Sequence, residues 1–394
     1  MDLERTMLRD MKILLWGCIS SPWTMWFIKD FLLKYDYDVY VLETSITDQH
    51  RKFFEDNNIN IIECPSKVIN WYKNGKRGNR FKTLYIYYLQ IKAVLNSGNY
   101  DIINLHYVDE FNAFLCILLK RIQKSKLILS YWGSDLLRIS TSTLKRTGLL
   151  TKKSDFITFD NEDLKMKFNG LYSWSYKKKN EVVFLGLPIL NIIDKKMKSN
   201  NENLFRERWN IPLNKKVIAI GYNAIPEQQH LEVIKCINNL SEKEKENIFL
   251  LFQMTYGRDE EYCLQVKKCA EATGCQFLFL ENFLTDEEVA EIRIITDIYI
   301  NAQKTDAFSG SVCENLFSET VLVNAKWLRY KEFDKAKFKF IEFSDWMDLE
   351  DKLNKALNEN VDLSSNSELI WSMRAWESCA PKWEEVYRGV LNEE

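Results

Sequence analysis

A chain of 394 residues exceeds one ordinary hydrophobic core and suits two domains. With 46% apolar and 28% charged residues, 13 Gly and 6 Pro, it has a globular composition and little room for long linkers. Nine Cys without a C-x-x-C and only three His (His50, His106, His230) argue against a disulfide scaffold and a structural zinc site, and no apolar run is long enough to span a bilayer. Met1–Asp10 is charged, so no signal peptide is expected, and free thiols fit a cytoplasmic location. The net charge of −2 hides an asymmetry: Lys and Arg exceed Asp and Glu by ten in residues 1–200 and fall short by twelve in 201–394.

In chain order, Lys12–Trp16 reads as a strand and Ser21–Leu33 as a helix with Pro22 near its start. Strands at Val39–Leu42 and Ile59–Glu63 flank a helix at Gln49–Asn57. A helix at Arg80–Asn96 precedes the strand Asp101–Leu105, the helix Phe111–Gln123 and strands at Lys126–Ser130, Phe156–Phe159 and Val182–Leu185. Leu187–Glu202 is polar enough to be a connector. A second series then starts: strands at Val217–Ile220, Ile248–Gln253, Gln276–Leu280, Asp297–Ile300 and Val321–Val323, with helices at His230–Leu240 and Asp259–Thr273. Thr285-Asp-Glu-Glu288 is a capping box opening another helix, and Ser367–Leu391 is a helical stretch interrupted by Pro381. Strands alternating with helices predict parallel sheets covered on both faces. The expected domains are 1–190 and 204–366, with 367–394 a final helix returning to the first.

The most informative segment is 301–325. Ser309-Gly310-Ser311 is a small turn opening a helix, and its free N–H groups can hold an anion such as a diphosphate. Glu314, on that helix, can accept hydrogen bonds from ribose hydroxyls, and Asp306, just before it, faces whatever the diphosphate carries. Lys304 and Arg258 are the cations within reach in sequence. Gly221-Tyr222-Asn223 is a strand-to-helix turn where backbone approaches closely and Asn223 can bond a phosphate or hydroxyl; Tyr256 can stack on a base. Residues 71–92 interleave Lys73, Lys76, Arg77, Arg80, Lys82 and Lys92 with Tyr and Phe, a pattern that suits an anionic membrane surface or a lipid diphosphate and fits no nucleic-acid module. Asp36-x-Asp38 mimics a metal motif but precedes a strand in the wrong domain, so no metal is expected.

Several segments, taken in order, resemble GT-B glycosyltransferases of the broad group that includes family 4. They are Lys12–Gly17, Asp101–His106, Ser130-Tyr-Trp-Gly-Ser-Asp135, Trp209–Gly221 and the acid pair Asp306/Glu314. Two departures stand out: Asp306 replaces the usual first Glu, and Trp132 replaces the His of an H-G-x-D loop. Gly221–His230 and Gln253–Gly257 are similar to bacterial transferases that add 4-acetamido-4,6-dideoxygalactose to a lipid carrier.

The resemblance implies an α/β chain of two Rossmann-like, doubly wound parallel-sheet domains facing a central cleft. It implies a metal-independent transfer from a nucleotide diphosphate sugar to a lipid-linked or glycan acceptor in bacterial surface polysaccharide synthesis, without a cofactor. The spaced acid pair favours retention. Asp306, His106 and Asp135 are the catalytic candidates. His106 would contact the donor sugar or orient the acceptor hydroxyl, and Asp135 would act as a base or cap the next helix. Gly221, Asn223, Tyr256, Arg258, Lys304, Ser309, Gly310, Ser311 and Glu314 are the donor-side candidates. Gly17, Ser20, Asp109 and Glu110 are the acceptor-side ones, with Asp109 or Glu110 a base should the enzyme invert. A nucleotide-sugar 2-epimerase of the same fold and an inactive nucleotide-binding partner subunit are the alternatives.

Overall fold

In a computed structural model of the chain, which describes residues 11–44, 46–76, 78–358 and 362–392, the polypeptide divides into two compact units. Unit 1 comprises Met1–Gly186 and Trp376–Glu394, and unit 2 comprises Leu187–Ala375.

Unit 1 is built on a seven-stranded sheet of β1 (Lys12–Trp16), β2 (Asp38–Leu42), β3 (Asn60–Ile62), β4 (Ile102–His106), β5 (Lys126–Tyr131), β6 (Phe156–Phe159) and β7 (Asn180–Val182). The spatial order is β3-β2-β1-β4-β5-β6-β7, all parallel. β4 and β6 are buried at every position, the continuous apolar run that a strand covered on both faces requires. The helices of this unit are α1 (Pro22–Phe27), α2 (Asp48–Asp56), α3 (Ser66–Lys73), α4 (Arg80–Ser97), α5 (Glu110–Gln123), α6 (Ser134–Leu137), α7 (Thr141–Thr151) and α8 (Glu162–Leu171). The expected single helix Ser21–Leu33 is α1 followed by a π-helical turn, Ile28–Leu32.

Unit 2 has a six-stranded sheet of β8 (Lys216–Ile220), β9 (Ile248–Gln253), β10 (Gln276–Leu280), β11 (Ile298–Asn301), β12 (Val321–Ala325) and β13 (Ile341–Phe343). The order β10-β9-β8-β11-β12-β13 is again parallel throughout, with Ile298 opposite Ile218 and Val321. Its helices are α9 (Ile189–Met197), α10 (Glu202–Arg208), α11 (His230–Asn238), α12 (Glu242–Glu246), α13 (Glu260–Ala272), α14 (Asp286–Ile294), α15 (Gly310–Phe317), α16 (Lys331–Ala336), α17 (Trp346–Asn358) and α18 (Ser364–Arg374).

Three elements differ from the sequence reading. The segment read as a connector is largely helix: α9 buries Ile189, Leu190 and Ile193, and Lys196 pairs with Glu287 and Glu291 of α14, so its polar residues are an outer face. The closing stretch is two helices, α18 and α19 (Trp376–Leu391), parted by extended backbone at Ala375. Pro381 lies inside α19 and does not break it at its fifth and sixth residues. The helix α19 packs Trp383 and Tyr387 on Phe27 and Phe31, and Tyr37 donates to Glu384 at 2.5 Å.

Candidate active site

Each sheet has one topological switch point, where strands depart in opposite directions and loops splay apart at the carboxyl ends. In unit 1 it lies between β1 and β4, and in unit 2 between β8 and β11. Backbone in the left-handed region marks both: Gly17, Cys18 and Tyr107 in unit 1, and Gly221, Gln229 and Phe308 in unit 2. For residues other than glycine this conformation is unfavourable, and it concentrates at ligand-binding turns.

In unit 2, Gly221 follows β8 with φ +62°, and a Cβ there would stand 2.7 Å from His230 Nε2 and 2.9 Å from Gln228 Oε1. The turn it opens is held by Tyr222 N–H donating to Gln228 Oε1 (3.1 Å) and Ala224 N–H to the Tyr256 carbonyl (2.7 Å). Asn223 is buried, its Oδ1 accepting from Ile225 N–H at 3.4 Å. From this turn a chain of buried amides crosses the switch point. Gln228 donates to Gln303 (3.0 Å), Gln303 to Asn301 (3.4 Å), and Asn301 Nδ2 to both Asn324 Oδ1 and Tyr330 Oη (2.9 Å each). Tyr330 then donates to Asp306 Oδ2 at 2.6 Å, which also accepts the Ser309 N–H at 3.1 Å. Buried polar groups are affordable only when paired, so such a chain locks the loops after β8, β11 and β12 into one arrangement. Asp306 is thereby anchored at the mouth of α15. Burial and the neighbouring Asp306 push the Tyr330 hydroxyl well above its usual range, so it stays a donor.

Ser309 is the N-cap of α15, whose first amides, from Gly310, Ser311 and Val312, have no intrahelical acceptor. Four residues on, Glu314 Oε2 accepts from Arg293 Nε at 2.9 Å, while Arg293 Nη1 donates to Gln253 Oε1 at 2.8 Å. Oε1 of Glu314 has no hydrogen-bond partner among the described residues. The pair ties α15 to α14 and to the carboxyl end of β9. Arg293 was missed by sequence reasoning; the available signal was a charge within the apolar stretch Ala290–Ile295 of α14, which helical periodicity puts on the inner face.

The two expected cations differ. Lys304 is exposed, its ammonium has no acidic partner among the described residues, and its N–H is fixed on the Glu227 carbonyl at 2.9 Å. Arg258 instead lies between Glu260 (2.5 Å) and Glu281 (2.9 Å). Tyr256 is 65% exposed in the same loop.

In unit 1, Gly17 lies so close to β4 that a Cβ would collide with the His106 carbonyl oxygen. Ser20 is half-buried in the following turn. Asp109 caps α5, its Oδ1 accepting from Phe111 and Asn112 N–H (2.9 and 3.0 Å) and its Oδ2 from the Asn112 amide, which in turn accepts from Trp16 Nε1 at 3.0 Å. Glu110 pairs with Arg146 Nε at 2.8 Å. His106 is fully buried among Phe27, Trp132 and Trp383, and neither ring nitrogen has a hydrogen-bond partner among the described residues. Burial lowers its pKa to about 3, which keeps the ring neutral. Asp135 is likewise buried: Oδ1 accepts Gly133 N–H (2.8 Å) and Trp132 N–H (3.1 Å), and Oδ2 accepts Val108 N–H (2.9 Å). Burial raises it to about 6 against the pull of those amides. Through these bonds it staples the loops after β4 and β5 together. Of the basic stretch 71–92, Arg77 lies outside the described residues.

Residues 12–184 match the family model described as glycosyl transferase 4-like. The chain has the two-domain GT-B fold. A glycosyltransferase from Rickettsia africae superposes with a TM-score of 0.76 at 14% identity, covering 98% of this chain and 100% of its own. Anabaena HepE, in complex with UDP and glucose, has a TM-score of 0.70 at 12% identity over 96% of this chain and 100% of its own. Sucrose-phosphate synthase from Thermosynechococcus elongatus has 0.68 at 10% over 96% and 99%. At such identities the likeness establishes the fold. No curated protein sequence is significantly similar to this chain. No described helix is long and apolar enough to cross a membrane.

Proposed function

We propose that the chain is a glycosyltransferase that moves a sugar from a nucleotide diphosphate sugar, bound at the switch point of unit 2, to a lipid-linked or glycan acceptor on unit 1. The setting we propose is bacterial surface polysaccharide synthesis, on the cytoplasmic face of a membrane whose anionic surface meets residues 71–92. The observation that carries the reading is the mouth of α15, with Asp306 anchored before it and Glu314 held by Arg293 one turn in. Its amides and the unpaired Lys304 can take up the charge that grows on the diphosphate as the anomeric C–O bond breaks, a task for which no metal is needed. Oε1 of Glu314 is open to a ribose hydroxyl. HepE was crystallised with UDP, which makes UDP the first nucleotide to test. Asp306 sits where the sugar would meet the helix, and retention is the stereochemical course we assign.

The test is a thermal-shift panel of UDP, GDP, dTDP and CMP. A nucleotide at a hundred times its dissociation constant stabilises by about 2.7 kcal/mol. One diphosphate nucleotide is expected to raise the midpoint, and Glu314→Gln, which keeps an acceptor for Arg293, is expected to abolish most of the rise. An undiminished rise in Glu314→Gln refutes the site.

A further inference from the structure

The helix α4 is apolar on two opposite faces. Ile86, Ile91 and Val94 are buried against unit 1, while Phe81 (83% exposed), Leu84 and Tyr88 line the other side. A helix that is hydrophobic all round is normally enclosed on all sides. Beside it, α5 buries Ala113, Leu115, Cys116 and Leu119 but turns Phe111 (57% exposed), Phe114, Leu118 and Ile122 outward, at spacings of three, four and four residues. The outward faces adjoin where Tyr87 of α4 meets Phe111 of α5, ring centroids 5.8 Å apart. The result is one continuous apolar surface over two helices, larger than scattered exposed side chains explain.

The charge along α3 and α4 is of one sign. Between Glu63 and Asp101 the chain has seven Lys and Arg and no acid. Of the acids nearest in sequence Glu63 is exposed, while Asp101 accepts the Lys12 N–H at 2.8 Å, Asp109 caps α5, Glu110 pairs with Arg146, Asp135 is buried, and Asp155 pairs with Lys120 at 2.6 Å. Lys82 and Lys92 on α4 and Arg121 on α5 are exposed and have no acidic partner among the described residues. A second copy would have to cover this face with acids that the face itself lacks. A bilayer with anionic headgroups supplies both the apolar interior and the negative charge.

We propose that α4 and α5 together form a membrane-docking face whose partner is an anionic lipid bilayer. The proposal deepens the membrane reading above and rests on it: the docking surface is not confined to residues 71–92 but includes the outer stripe of α5. That stripe begins at the cap of α5, where Asp109 and Asn112 hold Trp16 at the carboxyl end of β1. Docking through α5 therefore brings the switch point of unit 1 to the headgroup layer, where the polar end of a lipid-linked acceptor lies.

Flotation of the full chain with vesicles of phosphatidylcholine, with and without phosphatidylglycerol, tests this. Wild type is expected to float only with phosphatidylglycerol, and less in high salt. Phe114→Glu and Leu118→Glu, separately and together, are expected to reduce flotation at least tenfold with the thermal midpoint unchanged; Ile122→Glu serves as a further variant should one of these fail to fold. Lys82→Glu/Lys92→Glu is expected to lose the dependence on phosphatidylglycerol. If the α5 variants float as wild type does, the two-helix face is wrong while the reading for 71–92 survives. If wild type floats with neither vesicle, the membrane reading itself fails. A wild-type dimer that Phe114→Glu dissociates, with no flotation, assigns the face to a second copy and overturns the proposal.

Discussion

Arg293→Met is the sharpest perturbation of unit 2. The guanidinium, 6% exposed, donates Nε to Glu314, 13% exposed, at 2.9 Å, and Nη1 to the buried Gln253 amide oxygen at 2.8 Å. Methionine fills much of the same volume but donates nothing, so a largely buried carboxylate and a buried carbonyl both lose their donor. Removing one partner of a buried pair costs about 3–5 kcal/mol, most of it the desolvation of the charge left behind. Urea unfolding of Arg293→Met, Glu314→Gln and the double variant measures this as a cycle. The single Arg293 variant is expected to lose about 3 kcal/mol or more, the double variant to lose less than the sum, and the coupling to reach about 1–3 kcal/mol. Because Arg293 aims Glu314, the nucleotide-induced rise in midpoint should fall in Arg293→Met even under conditions where the variant is fully folded. A loss under about 1 kcal/mol with no coupling, or an intact nucleotide response, refutes the reasoning.

Tyr330→Phe removes the hydroxyl that joins Asn301 to Asp306 and should cost about 1–3 kcal/mol in denaturant unfolding. Gly221→Ala forces a Cβ to within 2.7 Å of His230 Nε2 at a left-handed φ and should destabilise by more than about 1 kcal/mol, with loss of nucleotide response. His106→Phe exchanges an unpartnered polar ring for an apolar one and should keep stability and transfer activity; loss of activity in a stable variant would restore a chemical role to His106. His106 and His230 both have pKa values lowered from 6.5 to about 3, so the stability they confer is complete above 6.5 and is lost as pH falls from there toward 3, by up to about 1.4 kcal/mol per unit for each. Asp135, raised from 3.8 to about 6, opposes this, since its protonation favours the fold as pH falls from 6 to 3.8. Unfolding midpoints measured across this range should show a net fall, and a smaller one in His106→Phe.

Much of the fold was legible because parallel strands covered on both faces must be continuous apolar runs. Ile248–Gln253 and Phe156–Phe159, buried at every position, have the boundaries their residues suggest. The capping box at Thr285 and Glu288 forms as local chemistry dictates. Ser309-Gly310-Ser311 opens a helix as its small residues suggest, with Ser309 at the N-cap position. Less legible were the short edge strand β13 and the helix α9, whose polar outer face disguised its buried stripe. At the candidate site, the residue types in 301–314 pointed to anion binding, but Arg258 and Glu110 read as available charges because nothing in one dimension showed Glu281 or Arg146 beside them.

The order of residues along the chain determined which segments are strands, which turns require glycine and where a helix mouth is small enough to admit an anion, since these depend on neighbours within a few positions. Tertiary structure alone decided whether a side chain is spent or available: His106 and Asp135 are enclosed, Glu314 is gripped by Arg293 from another helix, and Lys304 remains unpaired. Burial and ion pairing are set by groups tens of residues away, and they control the charge, reach and desolvation of every group that could act on a substrate.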